Sequence, residues 1–121
     1  MRRLLVLGGG TAGTMIVNKL RRRLDVSQWL ITVVDRDDAH QYQPGFLFVP
    51  FGGYSTAQLT KSRHAFVTDG VEFVIAEVDR IDADGNTVCL TDGRILPYDY
   101  LVIASGVSPR PDQTPGMLGP G

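Results

Sequence analysis

The sequence predicts an α/β fold built on a parallel sheet, and three observations carry that expectation. Residues 4–7 form a short continuous apolar run, as suits a central parallel strand covered on both faces. Glycines at 8, 9, 10 and 13 separate this run from an amphipathic stretch that starts at Thr11. A second apolar, β-branched run at residues 30–34 then ends on Asp35, completing a β-α-β unit in chain order.

From Thr11 onward, Ala12, Ile16, Leu20 and Leu24 recur at i, i+4 with Met15 beside them, which predicts a helix of about three and a half turns. The cations Arg21, Arg22 and Arg23 fall in its last turn, where they offset the negative end of the helix dipole. The stretch "HQYQPGFLFVPFGGY" at 40–54 has no clean period and reads as an ordered loop packed on something flat. Residues 56–67 read as a short helix, and residues 71–83 as a strand or a bent pair of strands. In "DADGNTVCLTDGRILPYDY" the turn signals Asp84-Gly85-Asn86 and Asp92-Gly93 predict an inserted β-hairpin system. Residues 100–104 read as another buried strand, closed by Ser105-Gly106. The division expected is a nucleotide-binding domain over 1–107, the first segment of a discontinuous domain, and a Pro/Gly-rich linker or truncated tail over 108–121.

The chain has 121 residues, enough for one domain that buries roughly 65% of its unfolded surface. With 12 Lys+Arg against 13 Asp+Glu, the totals lack the cationic excess that nucleic acid or an anionic membrane requires, and favour a small-molecule partner. Cys89 is the single cysteine, which rules out an intrachain disulfide and a thiolate metal cluster and suits a reducing cytoplasm. Its setting in "TVCLT" alternates like a strand and marks a structural thiol. The apolar run behind Arg2 and Arg3 is too short for a signal peptide or a spanning helix.

The glycines explain the rest of the N-terminal pattern. Gly8, Gly10 and Gly13 spell G-x-G-x-x-G between a strand and a helix, the context in which that motif binds a dinucleotide. A pyrophosphate needs close approach to unpaired N–H donors at a helix N-terminus, so Gly8 serves the turn, Gly10 the approach and Gly13 the packing of helix on sheet. Thr11 and Ala12 are small enough to leave those donors open. Asp35 follows Gly13 by 22 residues, where a carboxylate accepts hydrogen bonds from both hydroxyls of an adenosine ribose and repels a 2′-phosphate. Ser105-Gly106 is either a second ligand-facing element at a strand's carboxyl end or an ordinary turn. His40 and His64 read as structural or solvent-facing, and no catalytic acid, base or nucleophile stands out.

Taken together, "VLGGGTAG", "VVDRDD", "YQPGFLFVPFGG" and "YDYLVIASG" resemble the N-terminal part of the flavoprotein disulfide reductase superfamily, most closely the sulfide:quinone oxidoreductases. The resemblance implies a Rossmann-like FAD/NAD(P)-binding fold, incomplete within this chain. It places FAD on Gly8, Gly10, Thr11, Ala12 and Gly13, with Asp35 and Arg36 around the adenosine ribose and the backbone of Val78 bordering the adenine. Ala104, Ser105 and Gly106 would close the flavin cleft, and the loop of Gln41, Tyr42, Gln43 and Pro44 would lie beside the isoalloxazine. It further implies a longer enzyme in which sulfide is oxidised and electrons pass to quinone, with its redox cysteines and a membrane-reaching segment beyond residue 121. Such an enzyme is cytoplasmic or peripheral on the inner face of the cell membrane. The alternatives are a type II NADH:quinone or other NAD(P)H-dependent flavin oxidoreductase, and a non-catalytic truncated nucleotide-binding module.

Overall fold

The computed structural model describes residues 1–120. In chain order the elements are β1 (Arg2–Leu7), α1 (Thr11–Arg21), β2 (Trp29–Asp35), β3 (Ala39–Gln41), β4 (Thr60–Ser62), β5 (Val71–Ile75), β6 (Val78–Asp82), β7 (Thr87–Leu90), β8 (Ile95–Pro97) and β9 (Tyr100–Ile103). Short 3-10 turns cover Gln43–Phe48, Arg63–Phe66 and Pro111–Gln113.

A four-stranded parallel sheet in the order β5-β2-β1-β9 forms the middle layer. Alternation along β1 assigns its side chains to two cores. Leu4 and Val6 point to one face with Ile31, Val33 and Val17 of α1, flanked by Ile16, Leu20 and Leu24. Leu5 and Leu7 point to the other with Val34, Val88, Leu90 and Tyr98, under an antiparallel sheet in the order β6-β7-β8. The expected α/β class, the parallel sheet and the inserted hairpin system are therefore present, and residues 71–83 are the bent pair β5 and β6, which belong to different sheets. Cys89 sits half-buried on β7.

Several expectations are corrected. The helix ends at Arg21, where the Arg23 and Leu24 N–H groups both donate to the Leu20 carbonyl in a closing turn. Its buried row is Gly13, Val17 and Arg21, while Ala12 and Met15 are exposed. The helix turns that row to the sheet because Gly13 allows the closest approach: a Cβ there would stand 1.8 Å from the Gly8 carbonyl oxygen. Arg21 accordingly lies inside, where its guanidinium donates to the carbonyls of Trp29 (3.1 Å), Gly70 (3.3 Å) and Leu24, whereas Arg22 and Arg23 are exposed.

Residues 56–67 form no α-helix but a turn, strand β4 and a 3-10 turn, because β4 pairs antiparallel with β3. Residues 100–104 are not a buried strand: β9 lies at the sheet edge with Tyr100 and Ile103 exposed. The aromatic stretch 40–54 holds the end of β3 and the 3-10 turn Gln43–Phe48, with Phe46, Phe48, Phe51 and Tyr54 exposed. Of the Pro/Gly-rich stretch at 108–121, residues 108–120 hold the single 3-10 turn Pro111–Gln113, and Gly121 lies outside the described residues.

Candidate functional site

Parallel strands in register bring their carboxyl ends to one edge. Leu7 pairs with Val34 on one side and Ile103 on the other, and Val34 pairs with Val74. The residues that follow, Gly8, Asp35 and Ala104, meet there, and β1 is the strand from which the order departs in both directions. Open α/β sheets bind ligands outside such a point.

Gly8 leaves β1 with φ +103°, and its N–H donates to the Val34 carbonyl at 2.8 Å. A Cβ on it would stand 2.2 Å from the Ala104 carbonyl oxygen, so the 104–105 segment packs directly on the glycine turn. The Ala104 N–H donates to Leu7 at 2.7 Å. Gly13 presses on Gly8 from the helix side as described. Gly10 differs: a Cβ there would meet nothing within 4 Å. It is the N-cap of α1, without a side-chain cap and without an acidic residue in the first turn. The helix N-terminus thus presents unpaired donors and a partial positive charge to open space.

That space is a cleft of about 810 Å³ between α1, the end of β2 and the β3–β4 ribbon. Of the residues singled out by sequence, Gly10, Thr11, Arg36, Gln41 and Pro44 line it, with Tyr42 and Gln43 beside them. Gly8, Ala12, Gly13, Asp35, Ala104, Ser105 and Gly106 stand at the same sheet edge without lining it; Ser105 and Gly106 are exposed. Val78 lies apart, its side chain packed on the core beneath the antiparallel sheet.

Asp35 closes β2 with its carboxylate turned to the glycine turn, where Oδ2 accepts the Gly9 N–H at 2.6 Å. The same oxygen pairs with the Arg63 guanidinium, and both side chains are largely buried. Oδ1 has only a long contact from the Asp37 N–H, 3.4 Å. Arg63 also reaches Asp37 at 3.4 Å, and its Nε donates to the Ala39 carbonyl at 2.9 Å. Arg36, in contrast, is exposed beside Asp37.

Arg63 was not visible as a site residue in the sequence, since "KSRHA" carries no motif. Its placement comes from Asp38. The Asp38 carboxylate accepts the Ser62 hydroxyl at 2.6 Å, and the His64 N–H and Nδ1 at 3.1 and 2.8 Å, while its carbonyl accepts the Arg63 N–H at 2.8 Å. The Ser62 hydroxyl, with His64 second, holds the Asp38 carboxyl down at about 2. His64 stacks on Phe73, centroids 4.4 Å apart, and the Phe73 ring backs Gly9. His64 is thus structural, whereas His40 lines the cleft and stacks on Phe66.

The chain resembles known proteins over most of its length. The chain is 28% identical over 103 residues to a mitochondrial sulfide:quinone oxidoreductase of Mus musculus, covering 85% of this chain and 22% of that protein. It is 33% identical over 107 residues to a type II NADH:quinone oxidoreductase of Staphylococcus epidermidis, covering 87% and 26%. The crystal structure of the sulfide:quinone oxidoreductase from Aquifex aeolicus superposes with a TM-score of 0.76 at 27% identity, over 89% of this chain and 25% of that one. The chain therefore spans about a quarter of the length of these relatives. The pyridine nucleotide-disulphide oxidoreductase family pattern matches residues 2–120, and with the glycine turn, the uncapped helix and the strand-end carboxylate on one sheet edge, the chain belongs to that family of oxidoreductases.

Proposed function

We propose that this chain is the FAD-binding segment of a longer flavoprotein, a sulfide:quinone oxidoreductase, with residues 1–107 as the first part of its FAD domain and 108–121 leading out of it. The observation that carries the reading is the N-terminus of α1, uncapped and free of acidic residues, opening at Gly10 onto the cleft beside Asp35. A pyrophosphate fits that chemistry, since the donors and the dipole have no partner of their own in the first turn.

In this reading Gly10, Thr11 and Ala12 bind the pyrophosphate, and Gly8 and Gly13 shape the turn that presents it. Asp35 and Arg36 hold the adenosine ribose, and the Val78 backbone borders the adenine. Gln41 and Pro44 line the flavin end of the cleft, while Ala104, Ser105 and Gly106 close it. FAD, when bound, supplies the two-electron redox chemistry, and the segment supplies its placement. The sulfide assignment rests on the sulfide:quinone relatives; the second reading, an NADH-dependent quinone reductase, is favoured by the slightly higher identity to the staphylococcal enzyme. Quinone is named as the acceptor in both groups of relatives, which supports a whole protein that is cytoplasmic or peripheral on the inner face of the cell membrane. Among the described residues, no helix is long and apolar enough to cross a membrane.

The test of FAD placement is Gly10→Ala. Its backbone is extended with φ −73°, and a methyl group meets no protein atom, so stability is expected to change by less than about 0.5 kcal/mol. ADP and FAD affinity should nonetheless fall at least about tenfold, because the methyl enters the space assigned to phosphate. Equal affinity measured by calorimetry would remove the pyrophosphate from this helix. The donor is decided by anaerobic bleaching of the flavin in the longer protein: reduction by sulfide is expected, and reduction by NADH alone would favour the second reading.

A further inference from the structure

The carboxylate assigned to the ribose does not stand by itself. Asp35 Oδ2 is already engaged twice, by the Gly9 N–H and by the Arg63 guanidinium, while Oδ1 carries one long contact. Arg63 is itself held from three directions: by Asp35, by Asp37 and by the Ala39 carbonyl. It lines the cleft, yet its side chain is only 16% exposed, compared with 72% for Arg36. A planar guanidinium with several donors in a fixed fork suits such a role, where a lysine would reach fewer partners.

We propose that Arg63 is a positioning residue for nucleotide recognition: by holding Asp35 Oδ2 against the glycine turn, it leaves Oδ1 as the acceptor for the hydroxyls of a bound adenosine ribose. The inference rests on the FAD-binding reading above and adds a residue from a different part of the chain to it. Removal of the guanidinium leaves Oδ2 with the Gly9 N–H as its one close partner, about which the carboxylate can turn, and a turning acceptor distinguishes less well between a ribose with hydroxyls and one without. Phosphate binding at Gly10 does not pass through Arg63 and is retained. The discriminating quantity is therefore a ratio between two ligands that differ only in those hydroxyls.

The experiment measures binding of ADP and of 2′,3′-dideoxy-ADP by calorimetry to the parent protein and to Arg63→Gln, Arg63→Met and Arg63→Lys. Hydrogen bonds to a charged acceptor make the parent prefer ADP by about tenfold or more. In Arg63→Gln the ratio is expected to fall below about threefold while dideoxy-ADP affinity stays within about twofold of the parent. Arg63→Met keeps the aliphatic stem and its packing, and carries the same comparison if the Gln protein does not fold. Arg63→Lys, which keeps the charge but reaches fewer partners, is expected to give a ratio between those of the parent and Arg63→Gln. An unchanged ratio in Gln or Met proteins that bind ADP overturns the role of Arg63 alone. Failure of the parent to bind ADP, or equal binding of the two ligands by the parent, overturns the nucleotide reading together with it.

Discussion

In β1, α1 and β2 the apolar side chains at residues 4–7, 17, 31, 33 and 34 are all buried, whereas across residues 39–66 Tyr42, Phe46, Leu47, Phe48, Phe51 and Tyr54 are exposed. The two regions border the same cleft but are held by different forces. The first is a core, in which each buried Val or Leu contributes roughly 1.5–3 kcal/mol from removal of apolar surface. The second is organised by Asp38, whose carboxylate and carbonyl gather Ser62, Arg63 and His64 onto β3. One wall of the site is thus set by burial of apolar side chains, which carry no titrating group. The other depends on hydrogen bonds at an exposed carboxylate.

The largest expected effect falls on the first wall. Gly13→Val places a side chain where even a Cβ would stand 1.8 Å from the Gly8 oxygen, so helix and glycine turn must separate. A loss of about 4 kcal/mol or more is expected in urea unfolding, enough to abolish a cooperative transition in a marginal domain. A Gly13→Val protein with the parent's midpoint would show that the helix does not pack on the turn.

Next comes a direct contrast between the walls. Ile31→Ala removes a side chain of 0% exposure and is expected to cost about 3 kcal/mol. Phe51→Ala removes a larger one that is 83% exposed, and should shift stability by less than about 0.5 kcal/mol. Comparable losses would mean that the aromatic loop is packed in solution and that the contrast is false.

The smallest effect is a pH dependence confined to the second wall. The folded-state carboxyl of Asp38 lies at about 2, below its usual 3.8, because the Ser62 hydroxyl and then His64 donate to the ionised form. Its contribution is complete above the usual value and is lost as pH falls through about 2. Amide exchange protection in β3 and β4 should persist above pH 4 and disappear toward pH 2, while β1 and β2 stay protected. Asp38→Asn should remove ribbon protection throughout that range. Protection of β3 and β4 that stays level in the parent from pH 5 to pH 2 would dismiss Asp38 as their anchor.

The same division governs how much of the molecule is legible in sequence. β1, β2 and the start of α1 are written in local periodicity, and Asn86, with φ +50°, marks one predicted hairpin turn. Gly10, Thr11, Arg36, Gln41 and Pro44 were reachable from motif and resemblance and do line one cleft. Arg21 was not legible, because a cation in a last helical turn reads as solvated until Trp29 and Gly70 are known to turn their carbonyls toward it. Nor was the ribbon. Three-residue strands have too little length for a period, and the contacts that fix them join Asp38 to residues 24 to 26 positions away.

The interlock of Gly8 with Ala104 has a consequence for the order of assembly. These residues are 96 positions apart, and Ala104 follows β9, the last in chain order of the nine strands among the described residues. Contacts within β1, α1 and β2 close short loops and form early, whereas this one closes nearly the whole chain and waits on the entropy of doing so. The glycine turn therefore acquires its final support only after β9 has docked. On the proposed reading, a ligand of that turn reports completed topology, and a nascent or misthreaded chain with an intact first unit presents no finished cradle for it.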